Sequence, residues 1–160
     1  MNFCFDIDGP IIDVSDRYYR AYLESLRGYD ITKEQILDKD YFWKLKQNRI
    51  SELEIGIMSG LSTKEAKASS DLRKELNFKQ DYLPLDKLFD DVAKTFEYLK
   101  SKQITYFVVT LRTKKELEIA VKQFTLNKFL PENRLFPLQD EIKLQSDIQN
   151  KYSQLYNAIN

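Results

Sequence analysis

The sequence has 160 residues, 42% of them hydrophobic and 31% charged, which is typical of one globular domain or of one domain with an insert. Its 25 Lys and Arg residues balance 25 Asp and Glu residues, so nothing favours binding to nucleic acid or to an anionic membrane surface. The absence of histidine and the single cysteine exclude histidine-based catalysis, disulfide frameworks and the usual zinc sites. Any chemistry must therefore use carboxylates, amines, hydroxyls or backbone groups.

Residues 1–7 open the chain with a short apolar run that predicts a buried parallel strand. Cys4 lies within this run, and we expect it to be a buried small hydrophobic residue. Asp6 and Asp8 interrupt the run, so it does not resemble a signal peptide. Since no apolar stretch approaches the roughly 20 residues of a membrane span, we expect a cytoplasmic protein.

Residues 15–84 show helical patterns in short pieces and no strand pattern. Ser15 is the predicted N-cap of a first helix that ends at Gly28. The further helical segments are predicted over residues 33–37, 40–45, 51–58 and 63–76. We interpret residues 15–84 as an inserted all-helical unit.

From residue 85 onward, helical and strand patterns alternate. Apolar residues at steps of three and four from Leu85 to Leu99 predict an amphipathic helix, and the β-branched and aromatic run that follows predicts a strand. This strand is predicted over 104–110. It is followed by a helix around 117–124, a strand over 135–138 and a helix over about 143–159. This order predicts that residues 1–14 and 85–160 form an α/β unit with a parallel sheet ordered third, second, first strand.

The motif that points most directly to a chemical function is Phe-Asp-Ile-Asp-Gly-Pro at residues 5–10, where a buried strand meets a turn. Ligands bind at the carboxyl ends of strands in open parallel sheets, so Asp6 and Asp8 can point into one crevice. Paired carboxylates suit a hard cation such as Mg²⁺, and an ionised carboxylate is a nucleophile toward phosphorus. The alternative is an Asp-Gly turn whose carboxylates only cap backbone N–H groups.

A second motif lies where the next strand runs into a helix, at Thr110-Leu111-Arg112-Thr113. A hydroxyl and N–H groups at a strand end and helix start suit a phosphate group. Each residue also has an ordinary explanation, with Thr113 as a helix cap and Arg112 as a solvated side chain. Because both motifs follow predicted parallel strands, we expect Asp6 and Thr110 to lie side by side at one end of the sheet.

These two motifs, separated by a helical insert, resemble the haloacid dehalogenase (HAD) superfamily. The pattern is similar to its phosphoglycolate-phosphatase-like and β-phosphoglucomutase-like members. The resemblance implies a HAD-like Rossmannoid parallel sheet with an inserted all-helical cap at residues 15–84. It also implies a Mg²⁺-dependent phosphatase that acts on a small phosphorylated metabolite.

The resemblance further implies roles for individual residues. Asp6 would be the nucleophile that forms an aspartyl-phosphate, and Asp8 the general acid and base. Mg²⁺ would be held by the Asp6 carboxylate and the Asp8 backbone carbonyl. Thr110, with Leu111 and Arg112 beside it, would bind the transferred phosphoryl group.

The C-terminal part departs from the family pattern, which has a third-motif lysine and then an acidic Gly-Asp-x-x-x-Asp motif. Lys143 is the preferred candidate for the lysine near the phosphate, Lys151 is a poorer one, and either could instead lie on an ordinary helical face. No acidic fourth motif follows, and Asp140 and Glu141 are interpreted as a solvated helix start. We therefore expect weak Mg²⁺ binding.

Two functions stay open at this point. One is the HAD-like phosphatase, and the other is a C-terminally shortened, non-catalytic HAD-like protein that acts through binding or association. An α/β domain with incidental motifs is a third interpretation. A first strand without a second neighbour would expose an apolar edge at Phe3, Cys4 and Phe5, which predicts self-association or coverage by the last helix.

Overall fold

The computed structural model describes residues 2–138, 149, 151, 155 and 156. The chain divides into two compact units, one comprising Met1–Asp13 and Lys87–Asn160, and the other Val14–Asp86. Among the described residues, no helix is long and apolar enough to cross a membrane.

The first unit contains a three-stranded parallel sheet. Its strands, in spatial order, are β1 (Asn2–Phe5), β4 (Thr105–Thr113) and β5 (Leu135–Leu138). Phe5 lies opposite Val108, and Val108 lies opposite Leu135. The predicted α/β class and strand order are confirmed. A second, two-stranded antiparallel ladder joins β2 (Ile12–Asp13) to β3 (Lys87–Leu88).

Two helices flank β4 in the sequence of this unit, α5 (Val92–Ser101) and α6 (Lys114–Phe124). The buried ring of Phe96 on α5 lies 5.3 Å from the ring of Phe5 and 4.9 Å from that of Tyr106, measured between centroids. These aromatic contacts bury the apolar stripe of α5 against the sheet, the position that its three- and four-residue periodicity predicts.

The predicted start of α5 at Leu85 is wrong. Residues Gln80–Leu85 form a 3₁₀ helix, and Leu88 belongs to β3, where it pairs with the buried Ile12. The apolar spacing that predicts a helix from Leu85 therefore begins in the 3₁₀ helix and passes through β3, and the α-helix itself begins only at Val92.

The second unit is helical, and residues 14–86, all of them described, contain no strand. Its helices are α1 (Ser15–Ser25), α2 (Lys39–Gln47), α3 (Glu52–Met58) and α4 (Thr63–Leu76). The aromatic rings of Tyr22 and Phe42 stack at 4.8 Å in the middle of its core. Helices α3 and α4 approach closely at Gly56, where an added Cβ would lie 2.9 Å from the Ala66 Cβ.

Two sequence expectations for this unit are wrong in detail. Ser15 is the first residue of α1 and is buried, while Val14 occupies the N-cap position without a side-chain hydrogen bond. A cap needs an oxygen that can reach a free N–H of the first turn, which the valine side chain cannot supply. The segment predicted over 33–37 is only a 3₁₀ turn at Lys33–Gln35.

A buried ion pair ties the first helix of this unit to its last residue. The Arg17 Nε lies 2.7 Å from the Asp86 Oδ1, and both side chains are 1% exposed. Arg17 also donates to the main-chain carbonyl of Asn77. Removed from water, these charges depend on each other for their stabilisation.

Candidate functional site

The chain makes a tight loop directly after β1, and this loop carries Asp6 and Asp8. The Ile7 carbonyl accepts hydrogen bonds from two N–H groups of the loop, those of Ile11 at 3.2 Å and Ile12 at 2.9 Å. Gly9 has φ of +105°, a conformation that favours glycine because it has no Cβ. The loop therefore holds two carboxylates at the carboxyl end of the first strand.

The second motif lies at the same end of the sheet. The parallel register of Phe5 with Val108 brings the residues after β1 beside the last residues of β4. A direct contact joins the two motifs, because the Arg112 Nε and Nη2 lie 2.8 Å and 2.7 Å from the Asp8 Oδ1. The expected placement of the two motifs side by side is thus observed.

Thr110 and Arg112 are both buried near the end of β4, and Leu111 between them is half-buried. The Thr110 Oγ1 accepts a hydrogen bond from the Arg112 N–H at 3.1 Å. The strand runs to Thr113 rather than ending at Thr110, and Thr113 then caps α6. Its Oγ1 accepts from the Glu116 N–H at 3.4 Å, which confirms the expected cap.

The solvated alternative for Arg112 is wrong, since its side chain is 3% exposed and paired with Asp8. The Asp-Gly turn alternative describes only part of the geometry. The Asp6 Oδ1 does accept from the adjacent Ile7 N–H at 2.8 Å. Each carboxylate also pairs with a cationic side chain, which simple capping of backbone groups does not require.

Lys151 supplies the cation beside Asp6, as its Nζ contacts the Asp6 Oδ2. Lys143, the lysine that the sequence favoured, lies outside the described residues. A sequence signal for Lys151 did exist, because it falls three residues after Ile148 and four before Leu155. It therefore interrupts the predicted apolar stripe of the last helix, where a charged residue needs a partner.

Cys4 is exposed, which contradicts its prediction as a buried residue. Successive side chains of a strand point to opposite faces, and in β1 the rings of Phe3 and Phe5 share one face, 6.2 Å apart. Cys4 therefore points to the other face. Desolvation raises the pKa of the Cys4 thiol, and the nearby Asp6 carboxylate raises it further, while Lys151 acts in the opposite direction.

The oxygen donors of the loop fit a magnesium ion. The Asp6 side chain is 31% exposed and thus accessible to an ion, and its carboxylate is a hard ligand. Among the residues that the structure describes, no group of three or more His, Cys, Asp or Glu side chains could hold a metal ion. Mg²⁺ binds proteins through one or two carboxylates together with water and substrate phosphate, and the Asp6 carboxylate meets that requirement.

The parallel sheet, the loop with two carboxylates after its first strand and the helical unit between β2 and β3 define a hydrolase of the HAD type. The chain belongs to the haloacid dehalogenase-like hydrolase family, whose model matches residues 3–133. No curated protein matches it in sequence.

Several solved structures share its fold. A candidate phosphatase from Clostridium difficile is 16% identical with a TM-score of 0.65, and the match covers 99% of this chain and 70% of that one. A predicted phosphatase from Clostridium acetobutylicum is 18% identical with a TM-score of 0.64 and the same coverage. A haloacid dehalogenase-like hydrolase from Streptococcus pneumoniae is 15% identical with a TM-score of 0.59, and that match covers 98% of this chain and 70% of the other.

Proposed function

We propose that the chain is a Mg²⁺-dependent phosphatase that hydrolyses a small phosphorylated metabolite through an aspartyl-phosphate. The observation that carries this proposal is the placement of Asp6. Its carboxylate follows the first strand of a HAD-like sheet, contacts the Lys151 ammonium and lies at the same sheet end as Asp8 and Thr110. Membership of the haloacid dehalogenase-like hydrolase family supports the same chemistry.

In the first step, an Asp6 carboxylate oxygen attacks the substrate phosphorus, and the bond from phosphorus to the leaving oxygen breaks. Asp8 gives its proton to that oxygen, so the alcohol leaves and Asp6 carries the phosphoryl group. In the second step, Asp8 takes a proton from water as the water attacks the same phosphorus. Inorganic phosphate is released, and the Asp6 carboxylate and the protonated Asp8 are restored.

Charge neutralisation dominates phosphoryl transfer, and two groups of this chain contribute to it. The Lys151 ammonium lies on Asp6 and offsets negative charge where the nucleophile meets the phosphoryl group. The Thr110 hydroxyl lies at the same sheet end and can donate to a phosphoryl oxygen. Mg²⁺ bound by the Asp6 carboxylate and the Asp8 carbonyl would supply the remaining positive charge.

Hydrolysis of p-nitrophenyl phosphate, measured with Mg²⁺ and with excess EDTA, tests this function. We expect hydrolysis only with Mg²⁺ and its complete loss in Asp6→Asn, because an amide is a very poor nucleophile. Asp90→Asn, an exposed aspartate of the same unit, is the matched control and should retain the activity. Undiminished hydrolysis by Asp6→Asn would exclude the proposed mechanism.

Asp8→Asn gives a second, graded prediction. Loss of a general acid and base slows turnover by about 10²–10⁴-fold, so we expect kcat to fall within that range. Phosphoryl transfer to Asp6 should still occur, slowly, because the nucleophile is intact. Single-turnover measurement of p-nitrophenol release follows the transfer to Asp6, and phosphate release follows the complete reaction. A wild-type rate of both in Asp8→Asn would remove Asp8 from the mechanism.

A further inference from the structure

We propose that Arg112 is a positioning residue that fixes Asp8 for proton transfer, and that it is not a ligand of the substrate phosphate. The inference rests on the proposed phosphatase function and assigns Arg112 a role within that site. Its basis is the direction of the guanidinium group. Two of its N–H donors converge on one oxygen of Asp8, at 2.8 Å and 2.7 Å, and the side chain is 3% exposed.

The two partners differ in how firmly the fold holds them. Arg112 lies near the end of β4, which is paired with a strand on each side, and its neighbour Thr113 is fixed as the cap of α6. Asp8 lies in the loop after β1, next to Gly9, and its side chain is 22% exposed. A buried guanidinium on a strand can thus fix a carboxylate on a loop, since its planar fork allows few orientations.

The main-chain N–H of Arg112 also orients the hydroxyl group of Thr110. Its N–H donates to the Thr110 Oγ1 at 3.1 Å, so one lone pair of that oxygen is engaged. A hydroxyl that accepts in this way retains its own hydrogen to donate in another direction. One residue therefore organises both the acid–base carboxylate and the hydroxyl proposed to contact phosphate.

The same contacts oppose the assignment of Arg112 to the phosphate. The Nε–Nη2 edge of the guanidinium faces the Asp8 Oδ1, so a phosphoryl oxygen can bind that edge only by displacing Asp8. Asp8 would then lose the two contacts that hold its carboxyl group in place for proton transfer. The observed contacts keep Asp8 in one place.

Three variants separate the two roles. Arg112→Lys keeps the charge but replaces the fork with a single ammonium, which still binds phosphate well as a point charge. Asp8→Asn removes the group that Arg112 is proposed to position. The double variant Asp8→Asn/Arg112→Met removes both charged partners of this contact, so neither is left facing the uncharged replacement of the other. Arg134→Met, which removes another arginine of the same unit, is the control.

We expect Arg112→Lys to lower kcat for p-nitrophenyl phosphate by about 10–100-fold while KM changes less than about threefold, because misplacing a catalytic group affects the transition state more than binding. The double variant should show the kcat of Asp8→Asn with no further loss. Its dissociation constant for inorganic phosphate, measured by calorimetry, should stay within about threefold of wild type. Arg134→Met should match wild type in both assays.

A tenfold loss of phosphate affinity in the double variant, or a further tenfold fall of its kcat below that of Asp8→Asn, would overturn the proposal. An unchanged kcat in Arg112→Lys would do the same. A wild-type chain that binds phosphate but hydrolyses nothing would instead reject the proposed function. The phosphate affinity of the double variant would still show whether Arg112 binds the anion.

Discussion

Single charged residues in the helical unit differ greatly in what they contribute to its stability. Arg17 and Asp86 are almost wholly removed from water, whereas the ion pair of Lys67 with Asp71 on α4 is 63% and 50% exposed. Exposed pairs contribute about 0–1 kcal/mol, since water and salt screen them. Buried pairs are different, because breaking one leaves an uncompensated charge inside the protein.

Arg17→Met should therefore lower the free energy of unfolding by about 3–5 kcal/mol, because it removes the guanidinium that lies 2.7 Å from the buried Asp86 carboxylate. The double variant Arg17→Met/Asp86→Leu should recover most of this loss. Lys67→Met should change the free energy by less than about 0.5 kcal/mol. Urea unfolding followed by circular dichroism measures all three, and equal losses for Arg17→Met and Lys67→Met would contradict the prediction.

The residues of the candidate site were predictable to different degrees for a physical reason. Asp6, Asp8 and Thr110 could be found because the carboxyl ends of adjacent parallel strands meet, whatever the rest of the fold does. The pairing of Arg112 with Asp8 spans 104 positions of sequence, and only the register of β1 against β4 reveals it. From the sequence alone, Arg112 had two interpretations, as a solvated side chain or as a ligand of the phosphate.

At the scale of whole elements, the helix starts of α3 and α4 are defined by side chains. Ser51 and Ser62 each occupy an N-cap and accept from the N–H of the residue three positions later, Glu54 and Glu65. Each glutamate in turn accepts from the N–H of its cap residue, at 3.0 Å and 2.9 Å. These reciprocal bonds satisfy N–H groups that a helix start leaves unpaired.

Ser62→Ala should lower the free energy of unfolding by about 1 kcal/mol, since it removes the cap of α4, the longest helix among the described residues. Thr63→Ala, one position later, is the matched control. Its exposed hydroxyl does not cap the helix, and alanine is the better helix former, so this variant should be neutral or slightly stabilised. If both variants lost the same stability, the hydroxyl of Ser62 would not be acting as a cap.

The same caps predict a dependence of stability on pH. Hydrogen bonds from Ser51 and Ser62 lower the pKa of Glu54 and of Glu65 in the folded chain. A lowered folded-state pKa means that the stabilisation is present above the ordinary glutamate pKa and is lost as pH falls through the lowered value. The stability difference between wild type and Glu54→Gln/Glu65→Gln should therefore shrink as pH falls from 7 toward 3, in urea unfolding at each pH. A difference independent of pH would contradict this.

Element boundaries were predictable where a local signal marks them. The predicted segments 63–76 and 135–138 match α4 and β5, because Ser62 caps the helix and the short apolar run of residues 135–138 stands between polar residues of the sequence. The start of α5 was not predictable. Leu88 leaves the helical pattern only because it pairs with Ile12, a contact between segments 76 positions apart.

At the scale of the whole molecule, the edge of the sheet at β1 bears on whether the chain self-associates. Among the described residues, β1 pairs with β4 on one side, and no strand lies on its other side. Cys4, in the middle of this strand, is exposed, and Phe3 and Phe5 are only half-buried. An edge strand with unpaired N–H and C=O groups and few charges is a template for pairing with another strand.

We therefore predict that the chain self-associates through the edge of β1. Its mass in sedimentation equilibrium should rise above the 19.0 kDa of one chain as concentration increases from about 10 μM to 1 mM, the range in which exposed edges associate. Cys4→Lys should reduce this rise, because a charged side chain on an edge strand opposes the approach of a second copy. Cys4→Ser removes the thiol without adding charge, so it should associate like wild type and thereby exclude disulfide formation as the cause. A constant mass of one chain for all three proteins would mean that the edge of β1 is already covered within a single molecule.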